Sequence, residues 1–223
     1  MAAIAFDMYG TLADPASFAT ALDGCVDDPK HLAAAWRRQQ LEISWLLSVM
    51  KRYESWPQVT RYGLEAALQE NGIRLAHQQV EMVLEQTRYP ALFDDVPEAL
   101  TALTNAGHEL AVFSNGTADE LQTIVAETGI AAYFSRVITV DDVGVFKPAP
   151  AVYEHAAKEM RQSIGDVWLV SANPFDAAGA KAAGMRVAKL ERTPTVRYDF
   201  AETPDLIVVS LRELVSALAT VES

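Results

Sequence analysis

Cysteine is almost absent from this chain: among 223 residues only Cys25 carries a thiol. That excludes an internal disulfide framework and a cysteine-rich zinc site. Positive charge is also scarce. Lys and Arg number 18 against 30 Asp and Glu, a formal charge of −12. Such a balance argues against non-specific nucleic-acid binding and against a polybasic membrane anchor. It leaves room for an anionic substrate, because a local cationic pocket can sit on an acidic protein. No run approaches 18 consecutive apolar residues, so no membrane span is expected. The opening MAAIAFDMYG has no basic segment, and Asp7 interrupts its apolar run. It does not read as a signal peptide, and a cytoplasmic protein is expected.

What is present is the composition of a folded domain, 50% hydrophobic and 22% charged. The length allows one large domain or a core with a smaller inserted one. Short apolar runs at 3–6, 109–113, 136–140, 167–170, 186–190 and 206–209 have the continuous apolar character of parallel strands covered on both faces. The later runs alternate with helical stretches at 96–106, 118–128, 150–160 and 175–183. Alternation of this kind predicts an α/β fold with a doubly wound, Rossmann-like parallel sheet. Gly107 and Gly184 follow two of the helices, as helix-ending glycines do.

One stretch breaks the alternation. Between 16 and 89 no strand is evident. Helices are expected at 31–50, with Trp36, Ile43, Leu47 and Met50 on one stripe, at 57–71 and at 77–88. The simplest arrangement is a core made of 1–15 and 90–223 with a helical cap domain of 16–89 inserted after the first strand. No internal repeat or low-complexity segment is visible.

In a doubly wound sheet, ligands bind beyond the carboxyl ends of the strands. Four of those ends carry polar groups: Asp7; Ser114 and Asn115; Lys147; and Ser171, Asn173 and Asp176. Asp7 opens Asp7-Met8-Tyr9-Gly10-Thr11-Leu12, at the end of a buried strand and before a glycine turn. A carboxylate held ionised there suits nucleophilic attack through a covalent ester. The same residue also suits a cap for the next helix. Thr11 is placed to hydrogen-bond the carboxylate or a substrate.

The segments DMYGTL at 7–12, SNG at 114–116, KPAPAVY at 147–153 and SANPFDAAGAKAAG at 171–184 resemble, in order and spacing, those of the haloacid dehalogenase superfamily. That superfamily holds many phosphatases and a smaller group of dehalogenases. Its phosphatases carry a second Asp two residues after the nucleophile, where this chain has Tyr9, and an acidic residue where this chain has Ser171. Mg²⁺ wants hard anionic oxygens, and phosphoryl transfer leans on that ion. Both departures match the L-2-haloacid dehalogenases of type II, which need no metal or other cofactor. The stretch 36–46, WRRQQLEISWL, resembles the cap helix of the same group. Arg37, Leu41 and Trp45 share a face there at i, i+4 and i+8, while Arg38 points about 100° away. An arginine heading an apolar line fits either a cation in a greasy pocket or a snorkelling surface residue.

The resemblance implies a set of roles. Asp7 attacks C2 of a small 2-haloacid and inverts it, and water then attacks the Asp7 ester to release the D-2-hydroxy acid. Arg37 and Asn115 bind the departing halide. Ser114 and Lys147 orient the substrate carboxylate and the nucleophile, with Lys147 offsetting Asp7 and Asp176. Asp176, Ser171 and Asn173 orient or activate the hydrolytic water. Tyr153 matches a site tyrosine and equally suits a packed helix residue. Tyr9, Leu41, Trp45 and Phe175 form apolar walls; Phe175 stands where relatives often have tryptophan. None of the histidines His31, His77, His108 and His155 falls in a matching motif, so each is expected at the surface or in packing. Relatives of this group are commonly homodimers, and a homodimer is expected. The alternatives are a phosphatase of the same fold acting on a small phosphorylated metabolite, and a scaffold without catalysis.

Overall fold

The computed structural model describes residues 1–193 and 196–221. Six parallel strands form one sheet: β1 (Ala3–Phe6), β2 (Glu109–Ser114), β3 (Arg136–Thr139), β4 (Val167–Ser171), β5 (Arg186–Leu190) and β6 (Leu206–Val208), in the order β3-β2-β1-β4-β5-β6. β1 is buried throughout, as are β4 and all but the first residue of β2. Their unbroken apolar character reflects cover on both faces. Only β6, at an edge, carries an exposed position. The order reverses at β1, which lies between β2 and β4. Phe6 pairs with Val112 on one side and with Val170 on the other. Asp7 therefore leaves the sheet at the switch point, beside Ser171, where a crevice opens in folds of this type.

Four helices lie between β1 and the rest of the core: α1 (Ala16–Ala21), α2 (Pro29–Val49), α3 (Trp56–Glu70) and α4 (His77–Gln86). Helix α2 starts cleanly because Pro29 is its first residue and the Asp28 carboxylate accepts from the His31 N–H at 3.0 Å. The core helices follow as α5 (Val96–Asn105), α6 (Ala118–Glu127), α7 (Pro150–Glu159), α8 (Pro174–Ala182) and α9 (Leu211–Val221). The α/β class, the parallel sheet and the inserted helical cap are as the sequence implies. Among the described residues no helix is long and apolar enough to cross a membrane.

The sequence missed α1 and α9, and the stripe expected on α2 is corrected. Met50 is exposed, and the buried face instead runs through Leu32, Ala35, Trp36, Gln40, Ser44 and Leu47. Two polar side chains sit in that line because α2 and α3 approach closely. A Cβ on Gly63 would meet the Gln40 backbone nitrogen at 2.9 Å. The buried polar groups are satisfied across the contact: the Trp36 indole N–H donates to the Thr60 carbonyl at 2.8 Å, and the Gln40 amide donates to the Thr60 hydroxyl at 2.6 Å. A partnered buried amide costs little, whereas an unpartnered one costs about 1–3 kcal/mol. An apolar-periodicity reading cannot register such a pair.

Candidate active site

Asp7 sits one residue past β1, anchored by its own N–H to the Val170 carbonyl at 3.0 Å. The chain then turns sharply. Gly10 takes φ +85°, a left-handed conformation that side chains disfavour, and the Leu12 N–H donates back to the Met8 carbonyl at 2.9 Å. The turn returns Thr11 to Asp7, and the Thr11 hydroxyl donates to Asp7 Oδ2 at 3.1 Å. The same oxygen accepts from Asn173 Nδ2 at 2.7 Å and from the Ser171 hydroxyl at 3.4 Å. Asp7 is thus a hub at the strand end, and the helix-cap role open to it in the sequence is not the one it takes: Pro15 is the residue before α1.

Lys147 Nζ donates to Asp7 Oδ1 at 3.3 Å, to Asp176 Oδ2 at 3.0 Å and to the Phe113 carbonyl at 2.9 Å. It lies 4.0 Å from the centre of the Phe113 ring and is only 1% exposed. Three donors thus meet three acceptors, the arrangement a buried ammonium needs. Asp176, at the start of α8, is fully buried. Burial pushes its carboxyl above the usual range, Lys147 pulls it back down, and Asp7 pushes it up again; the net direction is upward. Tyr153 on α7 donates to Asp176 Oδ1 at 2.9 Å. Its ring is wholly buried and its hydroxyl is spent there, so it reaches the site through Asp176.

Ser114 and Asn115 are buried at the end of β2. The Asn115 side-chain oxygen accepts the Lys147 backbone N–H at 3.0 Å, which turns its NH₂ group away from that contact as a donor. The Ser114 hydroxyl accepts from the Gly116 N–H at 3.3 Å. Asp7, Thr11, Lys147, Ser171, Asn173 and Asp176 thus form one hydrogen-bonded cluster, and Asn115 is tied to it through the Lys147 backbone.

The cap contributes from above. Arg37 is half-buried, donates to the Gln40 side-chain oxygen at 2.6 Å and lies 5.9 Å from the centre of the Trp56 ring. Burial pushes its guanidinium below the ordinary arginine range, while Asp7 and Tyr9 pull the other way. Arg38 is exposed and forks onto the Glu70 carboxylate at 2.8 and 2.9 Å, away from the site. Tyr9 is buried against Phe18, and burial, followed by Glu120, raises its phenol well above 10. Leu41 is half-buried. Trp45 is exposed and packs edge-on to Phe175 at 5.5 Å, where the two line an apolar groove of 690 Å³ with Val49 and Phe146. Those two walls thus mark the outer part of the cap–core junction.

Two further core cations sit behind the pocket. Lys189 and Arg192, from the end of β5 and just beyond it, contact the Ala172 and Thr11 carbonyls respectively. Neither stands in a recognisable motif. The histidines lie elsewhere: His31 meets Asn71, His77 faces Glu81, His108 accepts from Ala2 and His155 faces Asp142.

The donor set speaks to a divalent ion. Asp7 and Asp176 already share a lysine ammonium as their counter-charge, and the residues beside them are the neutral Tyr9, Ser171 and Asn173. A hard divalent cation needs more anionic oxygens than this set offers, so the residues present do not fit one.

The family model described as haloacid dehalogenase-like hydrolase matches residues 1–184. A (S)-2-haloacid dehalogenase of Pseudomonas sp. strain YL is 34% identical over 97% of this chain and 94% of its own. Haloacetate dehalogenase H-2 of Moraxella sp. strain B is 31% identical over 97% of each chain. The solved L-2-haloacid dehalogenase of Xanthobacter autotrophicus with chloropropionic acid covalently bound is similar at TM-score 0.92 and 30% identity, with both chains covered in full. The chain belongs to the haloacid dehalogenase-like hydrolases, in the L-2-haloacid dehalogenase family.

Proposed function

We propose that the protein hydrolyses the carbon–halogen bond of short L-2-haloacids, without a metal, to give D-2-hydroxy acids. The observation that carries this reading is the Asp7 carboxylate held between Lys147 on one oxygen and three neutral donors on the other. Oδ1 has one long contact and is the freer oxygen, so it attacks C2. The C–O bond forms as the C–halogen bond breaks, the halide leaves with the electron pair, and C2 inverts. Oδ2 becomes the ester carbonyl oxygen. Water then adds to that carbonyl carbon, and the charge arising on Oδ2 falls among Thr11, Ser171 and Asn173, an oxyanion hole already in place. Collapse breaks the acyl–oxygen bond, the proton that Asp176 took from the water passes to the departing oxygen, and the hydroxy acid leaves with the attacking oxygen while the water oxygen stays in Asp7.

Asp176 is the base for that water. Its carboxyl, raised by burial, accepts a proton more readily than a free aspartate does. Arg37 and the NH₂ of Asn115 receive the halide as its charge grows, and Ser114 with Lys147 orients the substrate carboxylate. Tyr153 positions Asp176, while Tyr9, Leu41, Trp45 and Phe175 wall the pocket. Residues 16–89 act as the cap over a core of 1–15 and 90–223. The exposed apolar side chains Leu46, Val49 and Met50 on the cap support a homodimer, which we place in the cytoplasm. A phosphatase is disfavoured by the neutral Tyr9 and Ser171, which add no anionic oxygen beside Asp7 and Asp176 for a divalent ion.

The test is halide release from L-2-chloropropionate in chloride-free buffer containing EDTA. Release of chloride with formation of the D-hydroxy acid is the expected result. No release, or release that EDTA abolishes, overturns the reading.

A further inference from the structure

The buried side of the site holds two cations that the proposed chemistry does not use. Lys189 is the fourth residue of β5, 5% exposed, and its ammonium donates to the Ala172 carbonyl. Arg192 follows just beyond β5. Its guanidinium donates to the Thr11 carbonyl at 2.9 Å and forks onto Asp95 at 2.8 and 3.0 Å. It lies 3.9 Å from the centre of the Phe93 ring. Asp95 in turn accepts the Leu211 N–H at 2.8 Å, so the guanidinium is fixed from its far side.

The two carbonyls belong to the two loops that build the donor set of Asp7. Thr11 gives one donor to Asp7, and Ser171 and Asn173, on either side of Ala172, give the other two. The loops are also tied directly, since the Ala172 N–H donates to the Thr11 hydroxyl at 2.9 Å. That bond leaves the hydroxyl's own proton for Asp7. A shift of either loop would lengthen bonds on the oxygen that carries the oxyanion, and sub-ångström placement matters there.

We propose that Lys189 and Arg192 are positioning residues, a two-point brace from the end of β5 that fixes the loops 7–12 and 171–174 and thereby the donors on Asp7. Neither side chain contacts Asp7 itself. The inference rests on the dehalogenase reading for its effect on turnover, and on geometry alone for its effect on the loops. Arginine suits its place because one planar fork meets a carboxylate while another N–H reaches a carbonyl; a lysine ammonium lacks that fork.

The experiment compares the full chain with Arg192→Lys and Lys189→Met by hydrogen exchange and by steady-state halide release. Both replacements retain a long side chain in the space vacated. The brace requires at least tenfold faster exchange in peptides covering 7–12 and 171–174, with the rates of β1, β2 and β4 unchanged. It also requires kcat to fall at least tenfold while KM stays within threefold. Loops and strands accelerating together, loops that do not change, or a variant that does not fold would each show that these cations serve general stability, and would overturn the proposal. If the unmodified chain releases no halide, the dehalogenase reading falls, and the exchange pattern still decides the brace.

Discussion

Asp7 has hydrogen-bond partners on both oxygens, and the proposed chemistry rests on that division. Asp7→Asn removes the charge that attacks while keeping the shape of the side chain. Turnover is expected to fall by about four orders of magnitude or more, the scale on which a covalent nucleophile is missed. Circular dichroism should report an unchanged fold, and retained activity would remove Asp7 from the role. Lys147 answers a different question. Lys147→Met leaves Asp7 and Asp176 facing each other without their shared counter-charge. Removing one partner from a buried ionic set costs about 3–5 kcal/mol. The sign with pH follows from the direction of the shift. Burial already raises the Asp176 carboxyl, and loss of Lys147 raises it further. A carboxyl raised in the folded state penalises folding above its folded pKa and loses that penalty as acid protonates it. Urea unfolding should therefore show the variant most destabilised at neutral to alkaline pH and closest to the parent below the ordinary carboxylate range. An equal deficit at every pH would contradict this.

At the scale of elements, the site depends on how closely α8 lies against the loop after β3 and against α7. A Cβ on Gly179 would stand 2.5 Å from the Pro148 side chain and 2.6 Å from the Tyr153 hydroxyl. Gly179→Ala gains about 1 kcal/mol of helix propensity and meets overpacking worth about 1–3 kcal/mol. A proline ring cannot swing aside, so the clash wins. A lower midpoint in urea and a weakened Tyr153–Asp176 contact, seen as reduced kcat, are expected; unchanged stability would contradict the packing argument. This close approach shows what could be read from sequence and what could not. The strand ends bearing Asp7, Ser114, Lys147, Ser171 and Asp176 are legible because each follows a short apolar run, and the fold rule sends all of them to one edge. Helix α9 has Leu211, Leu214 and Leu218 buried at helical spacing, a local pattern that the sequence does carry. The Gln40–Thr60 contact left only polar letters in an expected apolar stripe. Arg192 and Asp95 meet across a separation of 97 residues and carry no local pattern at all.

Across the whole molecule, cap and core are joined by several contacts. The Tyr53 phenol donates to Asp141, the Phe146 N–H donates to the Ser48 hydroxyl at 3.1 Å, and Trp56 packs on Phe146 with ring centres 5.7 Å apart. These contacts hold α2 and α3 above the sheet end, and Asp7 below them is only 6% exposed. A covalent intermediate formed there is shielded from bulk water, so its hydrolysis depends on a water held by the site. That dependence makes the fate of one oxygen atom the most direct test of the central claim. A single turnover of L-2-chloropropionate is run in ¹⁸O-labelled water with enzyme in excess, and the peptide containing Asp7 is weighed by mass spectrometry. The account expects the first heavy oxygen in the Asp7 side chain and unlabelled hydroxy acid as the product. Label in the hydroxy acid, with the Asp7 peptide unshifted, would mean that water attacks carbon directly and would contradict the covalent route.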